Sequence, residues 1–257
     1  MKAWMLVALS LACAQRGPNS GVEQAPSWAT DDGRTQAKVE LAEALVLNGT
    51  PEAALQMISQ MVEQGARHPE LLVLQGRALS DMGLVDEAEA VLSLATRRSP
   101  SNSEAHNRLG ILYFDQARTD EAIKRFKAAA RSAPKDAQMH NNLGFALMAA
   151  GRHAEAVDVL REALMLDGSQ DRTRNNLGFA LAITGDDAAA WRVLKAGSQE
   201  IDARTNLALA QEARGDDAAA LRSYEMALAL DPSHAEARAA VSRLTATDSP
   251  TPTGSTE

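Results

Sequence analysis

An all-α solenoid, about six helical hairpins stacked in tandem and closed by one last helix, is the fold class this sequence predicts. Three observations carry it. Small residues recur in two registers stepped by 34 positions: Gly49, Gly83, Ala117, Gly151 and Gly185, and, seven places earlier in each case, Ala42, Gly76, Gly110, Gly144 and Gly178. Alanine and leucine dominate an apolar fraction of 45%, with aromatics at 4%, which favours close-packed helices over a sheet core of branched and aromatic side chains. Proline falls just past the second helix-forming stretch of several units, at Pro100, Pro134 and Pro232, where its missing N–H stops a helix.

The chain opens with MKAWMLVALSLAC: Lys2, an uncharged apolar run from Ala3 to Leu11, then Ala12 ahead of Cys13, the only cysteine. A charged start, a short apolar run and a small residue at the cut predict a signal peptide over residues 1–12, the run being far below the ~20 residues that span a bilayer. One thiol can neither close an internal disulfide nor build a thiolate metal site. Leu9, Ser10, Leu11, Ala12 and Cys13 resemble the bacterial lipobox, although Ser10 stands where the strict pattern has leucine. That resemblance implies cleavage before Cys13 and its acylation, palmitate included. More than one acyl chain anchors stably, since each buried methylene adds about 0.8 kcal/mol. Ala14 in place of aspartate after the cysteine implies, by the sorting rule of such lipoproteins, an outer-membrane address facing the periplasm. Residues 13–34 then read as a lipidated flexible tether, rich in Gly, Pro, Ser, Asn and Asp without a periodic apolar face. The end, DSPTPTGSTE over 248–257, has the same character and is predicted disordered.

Between tether and tail the register marks units 35–68, 69–102, 103–136, 137–170, 171–200 and 201–234, followed by a capping helix over 235–247. The fifth unit is short by four residues near Gly197 and Ser198, which predicts a shortened second helix and a local change in curvature. Gly76, Gly110, Gly144 and Gly178 lack a side chain where the two helices of a hairpin would cross. Ala88, Ala122 and Ala156 serve the same purpose on the second helix, and Leu92, Phe126, Leu160 and Tyr224 fill the space beside them. The stretches HNRLGILYFDQARTDEAIKRFKAAARSAP and HNNLGFALMAAGRHAEAVDVLREALML resemble the tetratricopeptide repeat, a 34-residue helix-turn-helix unit. The resemblance implies a right-handed superhelix whose first helices line a concave inner face, built mainly from positions 2, 5, 6, 9, 12 and 13 of each unit.

On those positions the sequence places a ladder of asparagines: Asn107, Asn141 and Asn175 at position 5, and Asn142, Asn176 and Asn206 at position 6. Side-chain amides both donate and accept, so such a row can pair with the amides of an extended peptide; alternatively they satisfy local backbone groups. Ile111, Phe145, Phe179 and Leu209 at position 9, with Phe114, Met148 and Ile183 nearby, predict an apolar floor. The candidate protein-binding groove is therefore Asn107, Asn141, Asn142, Phe145, Asn175, Asn176, Phe179 and Asn206. In the first two units Val39, Val46, Leu47, Val73 and Leu74 beside Glu40, Glu43, Glu70 and Asp81 predict an apolar patch for a partner helix, the tether or a second copy.

A net charge of −8 and a pI near 5.2 offer no footprint for nucleic acid. His106 and His140 share position 4 of adjacent units, a packing position, which argues against zinc. The aspartate pairs of TGDDAAA and RGDDAAA, at 184–190 and 214–220, stand at the turn into a second helix as caps, without the ligand spacing of a calcium loop. No nucleophile elbow, phosphate loop or dinucleotide fingerprint occurs. No enzyme activity, cofactor, metal or small-molecule substrate is expected, and the expected partners are proteins and, through the lipid, a membrane. An acylated array of this size resembles the outer-membrane lipoproteins of pilus assembly, in particular the type IV pilus secretin pilotins of the Tgl type, with six repeats behind a lipobox. That implies binding of a secretin subunit and promotion of its assembly in the outer membrane. The tandem NNLGFAL segments and TNLALA also resemble the tetratricopeptide lipoprotein of the tight-adherence (Flp) pilus system. A periplasmic adaptor that scaffolds peptidoglycan or other envelope enzymes is the third reading.

Overall fold

The computed structural model describes residues 32–247, and it is helical almost throughout them. The expected signal peptide, Cys13, most of the tether and the tail lie outside the described residues. Thirteen helices occur among the described residues: α1 (Asp32–Leu47), α2 (Pro51–Glu63), α3 (Pro69–Asp81), α4 (Val85–Arg98), α5 (Ser103–Asp115), α6 (Thr119–Ser132), α7 (Ala137–Ala149), α8 (His153–Leu166), α9 (Asp171–Ile183), α10 (Asp187–Lys195), α11 (Glu200–Ala213), α12 (Asp217–Leu230) and α13 (Ala235–Thr247). The first helix begins at Asp32, three residues inside the stretch expected to be tether. The helices form two compact units that divide between Ala133 and Pro134. In the first, α1/α2, α3/α4 and α5/α6 pair as hairpins; in the second, α7/α8, α9/α10 and α11/α12 do so, with α13 against α12. Within each unit the first helices of successive hairpins also pack together: α1 with α3 and α3 with α5, α7 with α9 and α9 with α11.

Local signals set the helix ends. Pro51 and Pro69 occupy first-turn positions of α2 and α3, where no N–H is needed. Asn102, Asp136, Asp186 and Asp216 cap α5, α7, α10 and α12, their side-chain oxygens accepting from the backbone N–H of Ala105, Gln138, Ala189 and Ala219 at 2.8 to 3.0 Å. The later of the two small-residue registers is the left-handed turn between the helices of a hairpin: Gly49, Gly83, Gly151, Gly185 and Gly215 all have φ between +72° and +92°. Ala117 takes the same turn at φ +58°. A Cβ in that region costs about 1–2 kcal/mol, partly offset because glycine loses more chain entropy on folding. Ala117→Gly is therefore expected to raise the unfolding free energy by roughly 0.5–1 kcal/mol, measured by urea denaturation; an unchanged or lower midpoint would show that the turn carries no strain.

The earlier register is a contact between helices. A Cβ on Gly144 would lie 2.5 Å from Cγ of Leu160, and one on Gly110 would lie 2.8 Å from the ring of Phe126. Gly76 and Gly178 stand in the same relation to Leu92 and Leu194. Hairpins this close bury their small residues: Ala42, Ala88, Ala122, Ala156 and Ala208 are fully inaccessible. At the C-terminal end Tyr224 joins Ala237, Ala240 and Leu244 of α13 in one cluster, so the last helix covers an apolar face that the sixth hairpin would otherwise expose.

The apolar patch expected on the first two units is not a surface. Val39, Val46, Val73 and Leu74 are all buried, Val39 and Leu74 in a cluster with Ile58, Met61 and Leu71. Position 5 turns toward the neighbouring helices in both units, and position 6 does so at Leu74 but not at the exposed Glu40. Leu47, at 62% exposure, is the member that reaches solvent.

Candidate protein-binding site

The second unit sets α7, α9 and α11 side by side, so that equivalent positions of three first helices share one face. Asn142, Asn176 and Asn206 are half-buried there, Phe179 is half-buried, and Phe145 and Leu209 are exposed at 46% and 37%. An aromatic ring left that open on a packed helical array is a large apolar surface in water, the feature that anchors protein interfaces. Asn175 is exposed as well.

The asparagine ladder divides into two sets. Asn107 and Asn141 are buried, at 1% and 4% exposure, and cannot offer their amides to a partner. They share position 5 with the buried Val39, Val73 and Thr205, the side of the first helix that faces its neighbour, whereas Asn175 at the same position of the fifth repeat is exposed. Asn107, in the first unit, donates to Glu104 at 3.4 Å. Asn141 accepts from the Asn176 side chain at 3.0 Å, a bond from one hairpin to the next that holds the register of α9 on α7. The surface-facing members of the candidate set are thus Asn142, Phe145, Asn175, Asn176, Phe179 and Asn206, all in the second unit.

Position 4 has a different purpose. His106 Nε2 lies 3.1 Å from the Pro100 carbonyl oxygen and His140 Nε2 lies 3.2 Å from that of Pro134. Arg174 makes the same six-residue reach, donating to the Gly168 carbonyl at 2.5 Å and to Asp171 at 2.5 Å. Gly197 leaves no room for a Cβ against that guanidinium. Arg204, the equivalent in the sixth unit, instead lies over Trp191, 3.8 Å from the ring centroid. His106, His140 and Arg174 thus tie α5, α7 and α9 to the loop before each, whereas Arg204 ties α11 to α10.

Burial lowers the pKa of His106, and Arg125 and Arg131 of α6 push it the same way, against the bond to Pro100, which raises it. The folded state therefore holds this imidazole neutral where the unfolded chain, near the ordinary value of 6.5, takes up a proton. Stability from this site is present above that value and is lost as pH falls from it toward the folded value. The loss is at most about 1.4 kcal/mol per pH unit for one proton. His106→Gln is expected to flatten the dependence of the urea midpoint on pH between 7 and 5; an unaltered slope would assign the titration elsewhere.

The paired aspartates hold a second device that the sequence concealed. Asp186 and Asp216 are the caps, but Asp187 accepts from Arg214 at 2.9 and 3.2 Å and from Gln211 at 2.7 Å. Arg214 also bonds Asp216 at 2.9 Å and the Ala182 carbonyl, while Gln211 accepts from Ser223 at 2.7 Å. Further along, Arg243 of α13 forks onto Glu212 of α11 at 2.6 and 2.9 Å. Tyr224 hydrogen-bonds Glu212 at 3.3 Å, and burial first, then the Glu212 charge, pushes its pKa up to about 12. Among the described residues no group of His, Cys, Asp and Glu is placed to hold a metal ion, and no helix is long and apolar enough to cross a membrane.

One model of the tetratricopeptide repeat matches residues 73–124 and 108–172, and a second such model matches 203–236. None of the curated proteins matches the chain by sequence. Among solved structures, the chain is similar to the pilF protein of Pseudomonas aeruginosa, with a TM-score of 0.63 at 16% identity over 84% of this chain and 98% of that one. It is also similar to YrrB, described as a tetratricopeptide protein with an unusual peptide-binding site, at TM-score 0.58 and 20% identity over 71% and 96%. MamA of Desulfovibrio magneticus RS-1 follows at 0.54 and 22% over 63% and 91%. At these identities the likeness is one of fold. The stepped glycines, the six close-packed hairpins and the matching repeat models together establish that the chain belongs to the tetratricopeptide-repeat family of protein-binding helical scaffolds.

Proposed function

We propose that the protein is a lipid-anchored pilotin that binds the secretin subunit of a type IV pilus and promotes its assembly in the outer membrane. The observation that carries the reading is the combination of a lipobox-like leader ending at Cys13 with six hairpins and a closing helix, the layout of the pilotins this chain resembles. The likeness of fold to pilF of Pseudomonas aeruginosa supports it. In this mechanism the acyl chains hold the array at the membrane, and the face around Phe145, Phe179 and the half-buried asparagines captures secretin monomers until a ring forms. Tethering raises effective concentration without any new contact, so a modest affinity suffices. Nothing in the sequence of events requires bond chemistry; the protein works by holding.

Two cellular measurements test it. Cys13→Ser is expected to remove the protein from outer-membrane fractions and to lower secretin multimers on denaturing gels, whereas retention in the outer membrane would sink the lipid anchor. Phe145→Ala with Phe179→Ala is expected to lower multimers at normal abundance of the protein. A second reading, the tetratricopeptide lipoprotein of the tight-adherence pilus, is favoured by the tandem NNLGFAL segments at 141–147 and 175–181. It places the same face against a different pilus component, and a crosslinking capture that yields that component in place of a type IV secretin would select it.

A further inference from the structure

The fifth hairpin carries a feature its neighbours lack. Its second helix, α10, has nine residues, where α8 and α12 have fourteen. Beside the missing turns a cleft of about 640 Å³ opens between α8 and α10. Its floor is Leu177 and Leu181 of α9, and its walls are Leu164 and Met165 of α8 and Val193 of α10. Met165 is 81% exposed, a thioether held in water at the mouth of an apolar opening. Three guanidinium groups belong to the same opening: Arg161 on the α8 wall, Arg192 on the α10 wall, and Arg174 from the floor helix. In a protein of net charge −8, this is a local inversion of sign.

The three arginines are not equivalent. Arg174 is engaged by Asp171 and the Gly168 carbonyl and is part of the frame. Arg161 faces Asp158 at 3.8 Å, with both side chains more than half exposed, a geometry worth little in water. Arg192 donates to the Ala188 carbonyl of its own helix at 3.3 Å, not to a carboxylate. One available cation therefore stands on each wall of an apolar trough.

We propose that this cleft is a second protein-docking site, and that its occupant is an acidic amphipathic helix of a partner, with leucine-type side chains along one stripe and carboxylates on both flanks. A helix laid between two helices sends residues at i, i+3, i+4 and i+7 into the trough, and the cations on opposite walls require acidic residues on either side of that stripe. The site is built from α8, α9 and α10 and is independent of the face around Phe145, so the protein can hold two segments at once.

The test uses the full chain and a fluorescein-labelled synthetic helix with leucine at i, i+3, i+4 and i+7 and glutamate on both flanks, read by fluorescence anisotropy. Saturable binding is expected, weakened about tenfold or more when the glutamates are lysines, and by a similar factor in Met165→Asp and in Arg192→Glu. Both positions are exposed, and helicity and Tm of the variants check that they fold. Phe145→Ala is expected to leave this affinity unchanged. Absence of saturable binding, equal binding of the lysine peptide, or indifference to both variants would overturn the proposal. So would sedimentation showing a dimer of the chain that Met165→Asp dissolves, because the occupant would then be a second copy.

Discussion

Gly144→Ala is expected to destabilise the protein by roughly 2–3 kcal/mol, a large effect for one methyl group. The added Cβ would stand 2.5 Å from Cγ and 2.6 Å from Cδ2 of Leu160, a side chain with no accessible surface. Leu160 cannot step aside, because it is packed on all sides in the fourth hairpin. Either α7 and α8 move apart, losing contacts along both helices, or the leucine leaves its rotamer. Leu160→Ala alone removes the clash partner but opens a cavity, at about 2–5 kcal/mol. The double variant is then expected to be less unstable than the sum of the two by more than 1 kcal/mol, roughly, since the new methyl occupies the space the leucine vacates. Urea unfolding of the four chains checks this, and strict additivity would show that the helices are not in the contact described.

Arg214→Ala is the second large effect, expected at roughly 1–2 kcal/mol, with part of the interaction screened by solvent at its partly exposed guanidinium. The residue joins Asp187 of α10, Asp216 and the Ala182 carbonyl at the end of α9, so its loss unties the fifth hairpin from the sixth. Asp187 remains held by Gln211, which limits the damage. The hydrogen bonds that Arg214 donates to Asp187 and Asp216 raise its pKa further above the ordinary value, burial opposing them, so the charge is present throughout the accessible pH range. Arg214→Lys keeps the charge and loses the planar fork, and it is expected to recover less than half of the loss. A lysine variant as stable as the original would mean that charge alone, and no bidentate geometry, holds the two hairpins.

Repeat proteins expose some of their structure in sequence and hide the rest for a definite reason. The step of 34 marks turns whose backbone lies in the left-handed region whatever the residue, so Ala117 sits in register with the glycines at φ +58°. Gly76, Gly110, Gly144 and Gly178 are legible because a close crossing admits only the smallest residues, and the partner, Leu92, Phe126, Leu160 or Leu194, falls sixteen places later each time. Which way a position faces is a different kind of fact. Asn141 and Asn142 are adjacent in sequence, about 100° apart on the helix, and one is buried against a neighbouring hairpin while the other reaches the surface. Only the stack decides between them. The same holds for Val39, Val73 and Leu74, apolar as any surface patch would be, and in fact core. The deletion in the fifth unit could be counted from the sequence; the cleft beside α10 depends on the side chains of three helices that the deletion leaves uncovered.

The central claim is that this tetratricopeptide protein holds its client on the face of α7, α9 and α11. It is tested most directly by titrating the purified full chain with the purified secretin subunit and repeating the titration with Phe145→Ala combined with Phe179→Ala. Removing two interface anchors is expected to weaken binding by about thirtyfold or more, equivalent to roughly 2 kcal/mol, while Tm stays within a few degrees because Phe145 is exposed and Phe179 half-buried. An affinity unchanged by the double substitution would contradict the account.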